Sequence, residues 1–271
     1  MRLGLSTWSL LGLEAGAAVR AIGEAGLDYI ELWGEVPHAY PSWAGKEGIR
    51  DALSSYDMVV TAHAPFTDLN PATPFQPVKD AIAETLESFV EYCVFLGARV
   101  VTVHPGSVHN EALVSLAEDS AASTLRRLVR AAGGRVSINV ENQTKSASKY
   151  YYPLASTPES LYSILKKVPG AGVTLASGQA HASGEDPAEI TWELGGDLTE
   201  IHLTDNSGEL DDHLIPGRGT APLGSLLKQV SGRDVLVCLE LNPHRYTPEQ
   251  ALGAVPAVRR AYAGDSWDQR R

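Results

Sequence analysis

Cysteine is scarce in this chain of 271 residues: only Cys93 and Cys238 are present, far apart and each inside an apolar run. A disulfide framework is thereby excluded. Neither residue belongs to a redox or zinc-ribbon motif, so both are expected to be reduced core residues of a cytoplasmic protein. No apolar run approaches the roughly 20 residues of a membrane-spanning helix. The opening MRLGLSTWSLLGLEAGAA is broken by Ser6, Thr7, Ser9 and Glu14 and carries only Arg2 as a cationic side chain, which is poor for a secretory signal. Basic residues are short as well, 22 Lys and Arg against 33 Asp and Glu, a formal net charge of −11. That balance argues against nucleic acid as a partner, while leaving room for a local patch. What is present is ordinary for a globular protein: 44% apolar and 20% charged residues, enough to bury a large core.

Short β-branched runs alternate with longer helix-compatible stretches along the whole chain. The runs are LGLSTW from Leu3, DYIELWG from Asp28, MVVTAHA from Met58, ARVVTVHP from Ala98, VSINVEN from Val136, GVTLAS from Gly172, TEIHLTD from Thr199 and DVLVCLEL from Asp234. Between them, stretches such as PVKDAIAETLESFVEYCVFLG and ALVSLAEDSAASTLRRLVRAA repeat apolar residues at the helical spacing of three and four. A repeated strand-helix unit predicts a parallel sheet. A doubly wound open sheet would carry a glycine-rich turn after its first strand, where Trp8-Ser9-Leu10 stands instead. Eight units and no Pro, Gly or Ser-rich linker predict one α/β domain over residues 1–271, a (β/α)8 TIM barrel. The residues from about 264 onward, GDSWDQRR, have the composition of a loose tail.

Side chains two apart on a strand share a face, so the apolar positions of each run identify its helix side and the rest point into the barrel. In VSINVEN, Ile138 and Val140 face the helices, leaving Ser137, Asn139 and Glu141 inside. The same alternation points Glu200, His202 and Thr204 inward, as well as Thr61 and His63, Thr102 and His104, and Cys238 and Glu240. His63, His104, Glu141, His202 and Glu240 thus gather at the C-terminal ends of five strands, the end where barrel enzymes hold their chemistry. Taken singly, an inward histidine is usually a hydrogen-bonded core residue and a glutamate a structural ion-pair member. Five together favour a divalent metal ion; nitrogen and oxygen donors suit zinc, manganese, cobalt or magnesium without choosing among them. Asp211 and His213, two apart in a loop, are further candidate ligands. His38, His109 and His244 fall in loops and are expected to be solvated. Trp8 and Trp33, inward by the same alternation, are candidate apolar walls of a binding site, or equally core residues. A phosphate on the substrate would call on loop cations such as Lys145, Lys149, Arg218 and Arg245.

The set HAPFTDLNP from His63, HPGS from His104, VEN from Val140, HLTDNSG from His202, DDHLIPGRG from Asp211 and LELNP from Leu239 resembles the xylose isomerase-like TIM-barrel superfamily. That superfamily joins sugar and sugar-phosphate isomerases and epimerases to the endonuclease IV type of abasic-site nuclease. In the isomerase branch the resemblance implies one metal held by a glutamate, an aspartate, a histidine and a glutamate on the fifth to eighth strands. Glu141, His202 and Glu240 match, with the two glutamates also passing a proton to and from the carbon beside a carbonyl through a metal-stabilised enediolate. The sixth strand departs from the Asp-x-Gly-His pattern, reading Ala176-Ser177-Gly178-Gln179, with His181 nearby as a candidate to move into the space. His63, His104, Gln179 and Arg218 join the tryptophans as candidate substrate contacts. In the nuclease branch, His63, His104, Asp211 and His213 resemble additional zinc ligands. The resemblance implies a cytoplasmic enzyme of carbohydrate metabolism with a small sugar or sugar-phosphate substrate, and a homodimer. The alternatives are a zinc phosphodiesterase acting on abasic DNA and, because of Ala176, a non-catalytic sugar-binding barrel.

Overall fold

In a computed structural model, residues 2–148 and 150–263 are described; the predicted tail from about 264 and Lys149 lie outside them. The eight apolar runs form eight parallel strands, β1 Arg2–Ser6, β2 Tyr29–Trp33, β3 Val59–His63, β4 Val100–Val103, β5 Ser137–Glu141, β6 Gly172–Ala176, β7 Leu198–Leu203 and β8 Leu236–Leu239. Each pairs with its neighbours in sequence, and β1 pairs with β8, with Gly4 opposite Cys238, so the sheet closes as a (β/α)8 barrel. The main helices follow as α1 Ala15–Glu24, α2 Lys46–Leu53, α3 Gln76–Phe95, α4 Val114–Ala132, α5 Pro158–Lys167, α6 Pro187–Leu194, α7 Leu223–Gln229 and α8 Pro248–Tyr262. Two short helices, Pro41–Ala44 and Ser177–Ala182, are additional to one helix per unit. No helix among the described residues is long and apolar enough to cross a membrane.

Local chemistry sets the element ends. Thr157 and Thr247 cap α5 and α8 in reciprocal capping boxes with Ser160 and Gln250, and each helix has Pro at its first position, where no N–H is required. Helix α4 stops at Gly133, which adopts a left-handed conformation (φ 56°). The layer between strands and helices is apolar, with Ile30, Val101, Ile138, Val140, Val173, Ile201 and Leu239 fully buried. Both cysteines are free and buried, as expected.

The barrel interior is largely polar, and many of its polar groups satisfy one another, although the Tyr29 and Thr204 hydroxyls have no hydrogen-bond partner among the described residues. Thr61 and Thr102 donate to the two oxygens of Glu200 at 2.9 and 3.2 Å, and Thr102 and Thr174 share a hydrogen bond of 2.7 Å. The Asn139 amide donates to Thr174 and Thr199 at 3.0 and 2.7 Å. Tyr29 fills the space beside β1 because residue 4 is glycine; a Cβ there would lie 2.5 Å from the Tyr29 ring. Burial, then the nearby charge of Glu31, pushes the Glu200 carboxyl up to about 7.

Two expectations are corrected by the packing. Strand β1 ends at Ser6, whose hydroxyl accepts from the Trp8 amide and opens a 3-10 turn over Thr7–Leu10, so Trp8 sits on that turn, above the strand. His38, expected to be solvated, is 1% exposed beside Trp33, and burial pushes its imidazole down to about 4. His109 and His244 are exposed as expected.

Candidate metal-binding active site

Strand alternation brings the predicted residues to one mouth. Glu141, at the end of β5, is 1% exposed and surrounded by nitrogen atoms. Its Oε2 lies 3.0 Å from Nε2 of both His63 and His104, and its Oε1 lies 3.0 Å from His202 Nδ1 and 3.3 Å from the Gln179 amide nitrogen, which donates to it. Glu240, just beyond β8, reaches the same imidazole, with Oε2 3.5 Å from His202 Nδ1. The carboxylates of Glu141 and Glu240 therefore converge on one ring nitrogen.

Hydrogen-bond roles follow from the partners. His63 Nδ1 lies 2.8 Å from the Ala64 carbonyl and His213 Nδ1 lies 3.0 Å from the Glu240 carbonyl. A carbonyl only accepts, so both Nδ1 atoms carry hydrogen and the Nε2 atoms face carboxylates: Glu141 for His63, and Asp211 at 3.1 Å for His213. Burial alone would depress His63 and His213; hydrogen bonding and charge from Glu141 overturn this for the first, and Asp211 for the second, and each rises to about 9. His202 is driven well above its ordinary value against burial, by the charges of Glu31, Glu240 and Glu141. Burial would raise Glu141, yet the charges of His202 and His104 hold it well below the usual carboxylate range. Burial does raise Glu240, against the pull of His202 and His213.

Two donor groups share Glu141. Glu141, His202 and Glu240 each offer a ligand atom, all within 4.8 Å of one another, and so do His63, His104 and Glu141. Such a set fits a divalent cation: protons on the histidines supply positive charge among the carboxylates, and a cation would replace them. The donors at the third and fourth strands and at the fifth, seventh and eighth are thus assembled. The sixth strand adds only a methyl group. Ala176 pairs across the sheet with His202 and is tied to Asn142, whose Oδ1 accepts from the Ala176 amide at 2.7 Å.

The remaining candidates divide. Asp211 and His213 adjoin Glu240, and the Trp8 ring meets His213 edge-on at 4.8 Å. Trp33, half-buried at the end of β2, faces His38. His181 does not fill the space left by Ala176; it bonds Thr220 at 3.0 Å. Arg218 is exposed, Lys145 is exposed, and Arg245 is engaged by Asp212 at 2.7 Å.

Sequence reasoning missed three carboxylates. Glu31 is fully buried, with Oε2 2.8 Å from His202 Nε2. It shares its strand face with Tyr29 and Trp33, so the alternation that pointed Trp33 inward applies to Glu31 equally. Glu35 accepts from the Phe66 and Thr67 amides at 2.6 Å each, fixing the loop that lays the Phe66 ring on His104 at 4.6 Å between centroids. Asp205 accepts four backbone N–H groups, from Asn206, Gly217, Gly219 and Ala221, at 2.8 to 3.0 Å, and so folds the loop that carries Asp211 and His213.

Comparison with known proteins identifies the family. The family described as xylose isomerase-like TIM barrel matches residues 19–261. A protein of Methanocaldococcus jannaschii, itself uncharacterised, is 30% identical over 250 residues, which cover 89% of this chain and 83% of that protein. A fructoselysine 3-epimerase of Shigella flexneri is 24% identical, with 93% and 96% of the two chains covered. Among solved structures, a D-tagatose 3-epimerase-like protein superposes with a TM-score of 0.87 at 26% identity, over 97% of both chains.

Proposed function

The chain belongs to the xylose isomerase-like TIM-barrel family, and on that premise we propose that it is a divalent-metal-dependent isomerase or epimerase of a sugar, sugar phosphate or related hydroxy-carbonyl compound. The observation that carries this reading is the convergence of Glu141 and Glu240 on His202 Nδ1, at 3.0 and 3.5 Å. Its similarity to a fructoselysine 3-epimerase and to a D-tagatose 3-epimerase-like protein supports the same class.

Glu141, His202 and Glu240 would hold the metal, and His63 and His104, with Glu141, offer a second set of donors. When bound, a divalent cation supplies positive charge beside the substrate's oxygens and so acidifies the C–H next to the carbonyl. Glu141 and Glu240 are the proton-exchanging groups: one carboxylate oxygen takes the proton from carbon and the other carboxyl returns one. Gln179 donates to Glu141 Oε1, which restricts the direction in which that carboxylate offers its lone pairs. Phe66 on His104 and Trp8 on His213 form apolar walls at the mouth, suited to the C–H face of a sugar ring or chain.

The test is turnover in deuterated water. Mn²⁺-loaded protein is incubated with a panel of ketohexoses, free and phosphorylated, and read by NMR. A new epimer or aldose-ketose isomer, with deuterium entering the carbon beside the carbonyl, is expected. Glu141→Gln and Glu240→Gln should each lower exchange by about 10²-fold or more. Absence of both turnover and exchange across the panel would leave a binding barrel. Cleavage of an abasic DNA duplex by zinc-loaded protein would instead assign a phosphodiesterase.

A further inference from the structure

We infer that Glu31 is a positioning residue, which holds His202 by its far nitrogen so that Nδ1 faces the gap between Glu141 and Glu240. This rests on the metal-dependent reading of the site. His202 is fully buried, and its two nitrogens have different surroundings. Nε2 lies 2.8 Å from Glu31 Oε2, while Nδ1 lies 3.0 Å from Glu141 and 3.5 Å from Glu240. A carboxylate oxygen 2.8 Å from a ring nitrogen serves as the acceptor of that nitrogen's hydrogen, so Nε2 is the donor. The nitrogen left to bind a cation is then Nδ1. A carboxylate behind a metal-binding imidazole fixes the ring's rotation and raises its basicity, and losing such a partner typically costs 10- to 100-fold in metal affinity.

Glu31, through its other oxygen, accepts from the Cys238 thiol at 3.9 Å, which leaves Oε2 turned to the imidazole. Its strand, β2, ends in Trp33, whose amide donates to Thr7 at 2.9 Å, so the backbone carrying Glu31 is anchored independently of His202. Glu200 is the natural comparison. It is equally buried and is in the same interior cluster, with ligand atoms of Glu31, Glu200 and His202 within 4.8 Å of one another. Yet its hydrogen bonds run to Thr61 and Thr102 rather than to the imidazole. Two carboxylates at one depth thus have separate duties, one turned to the histidine and one to the threonine network.

Glu31→Gln keeps the shape and removes the charge; Glu200→Gln does the same next door. Calorimetric titration with Zn²⁺ and with Mn²⁺ should show affinity falling about tenfold in Glu31→Gln and staying within twofold of the parent in Glu200→Gln. In metal-free protein labelled with ¹⁵N-histidine, the His202 Nε2–H signal, strongly downfield in the parent, should move upfield in Glu31→Gln and stay in place in Glu200→Gln. Parent-like affinity in folded Glu31→Gln, an equal loss in both variants, or an unmoved Nε2–H signal would overturn the inference. A parent that binds neither ion overturns the metal-dependent reading instead, and the metal-free spectra then still decide whether Glu31 positions His202.

Discussion

At the scale of single residues, Ala176 is the position on which the strength of the proposed cation site would turn. It ends β6 beside His202, at the level of the donor cluster, and its methyl group brings no ligand atom. Ala176→Asp would add a carboxylate oxygen to Glu141, His202 and Glu240, and metal affinity should tighten by about tenfold or more, in line with the usual weight of one well-placed ligand-shell group. Calorimetric titration checks this, and an unchanged affinity would mean that residue 176 does not reach the metal. His38 permits a second prediction of a different kind. Its folded pKa of about 4 lies below the ordinary 6.5. Between those values the unfolded chain binds the extra proton and the folded chain does not, so stability is complete above pH 6.5 and declines as pH falls toward 4. The loss amounts to up to about 3 kcal/mol. Denaturant unfolding of the parent from pH 6.5 to 4.5 should therefore decline more steeply than that of His38→Gln, and parallel declines would show that His38 is not the group responsible.

At the scale of elements, the strands were legible because a parallel barrel strand must be β-branched and apolar on its helix side, and the period of two then delivers its other face to the interior. Glu141, His202 and Glu240 followed from that rule. It also reached Glu31, which passed unnoticed because a single glutamate between Tyr29 and Trp33 has no motif around it. Loops obey no such period. The burial of His38 is a consequence of tertiary packing against Trp33, and Trp8 left its expected strand because Ser6 caps a turn. The loop between β7 and α7 shows what replaces periodicity. Asp205 gathers four amide N–H groups, and the pair of backbone bonds between Asp205 and Leu214 closes the loop's middle. Within this frame His213 is held at φ 49°, a left-handed conformation that costs a non-glycine residue energy and persists only when its surroundings impose it. Asp205→Ala should cost about 2 to 3 kcal/mol of stability, because it strips one buried and three partly buried N–H donors of one shared acceptor. Limited proteolysis should then cut within 206–221, and a variant as stable and as resistant as the parent would show that other contacts carry the loop.

At the scale of the whole molecule, the closed barrel gathers carboxyl groups whose burial is costly and sets histidine protons against them. Glu31, Glu141, Glu200 and Glu240 are all nearly inaccessible, and His63, His202 and His213 gain protons in response. A buried charge is costly unless paired, so a divalent cation that binds the folded barrel and not the unfolded chain must stabilise the fold by mass action. At a free concentration a hundred times its dissociation constant, the gain is about 2.7 kcal/mol, which for a chain of this size raises the melting temperature by about 5 °C or more. The rise should grow with the logarithm of the metal concentration and vanish on adding a chelator. Glu141→Gln should abolish most of it, because Glu141 belongs to two of the three donor groups. His213→Gln should leave it largely intact, because His213 is in none of them. Equal melting temperatures with and without Mn²⁺ or Zn²⁺ in the parent would mean that the histidine protons alone balance the barrel's carboxylates.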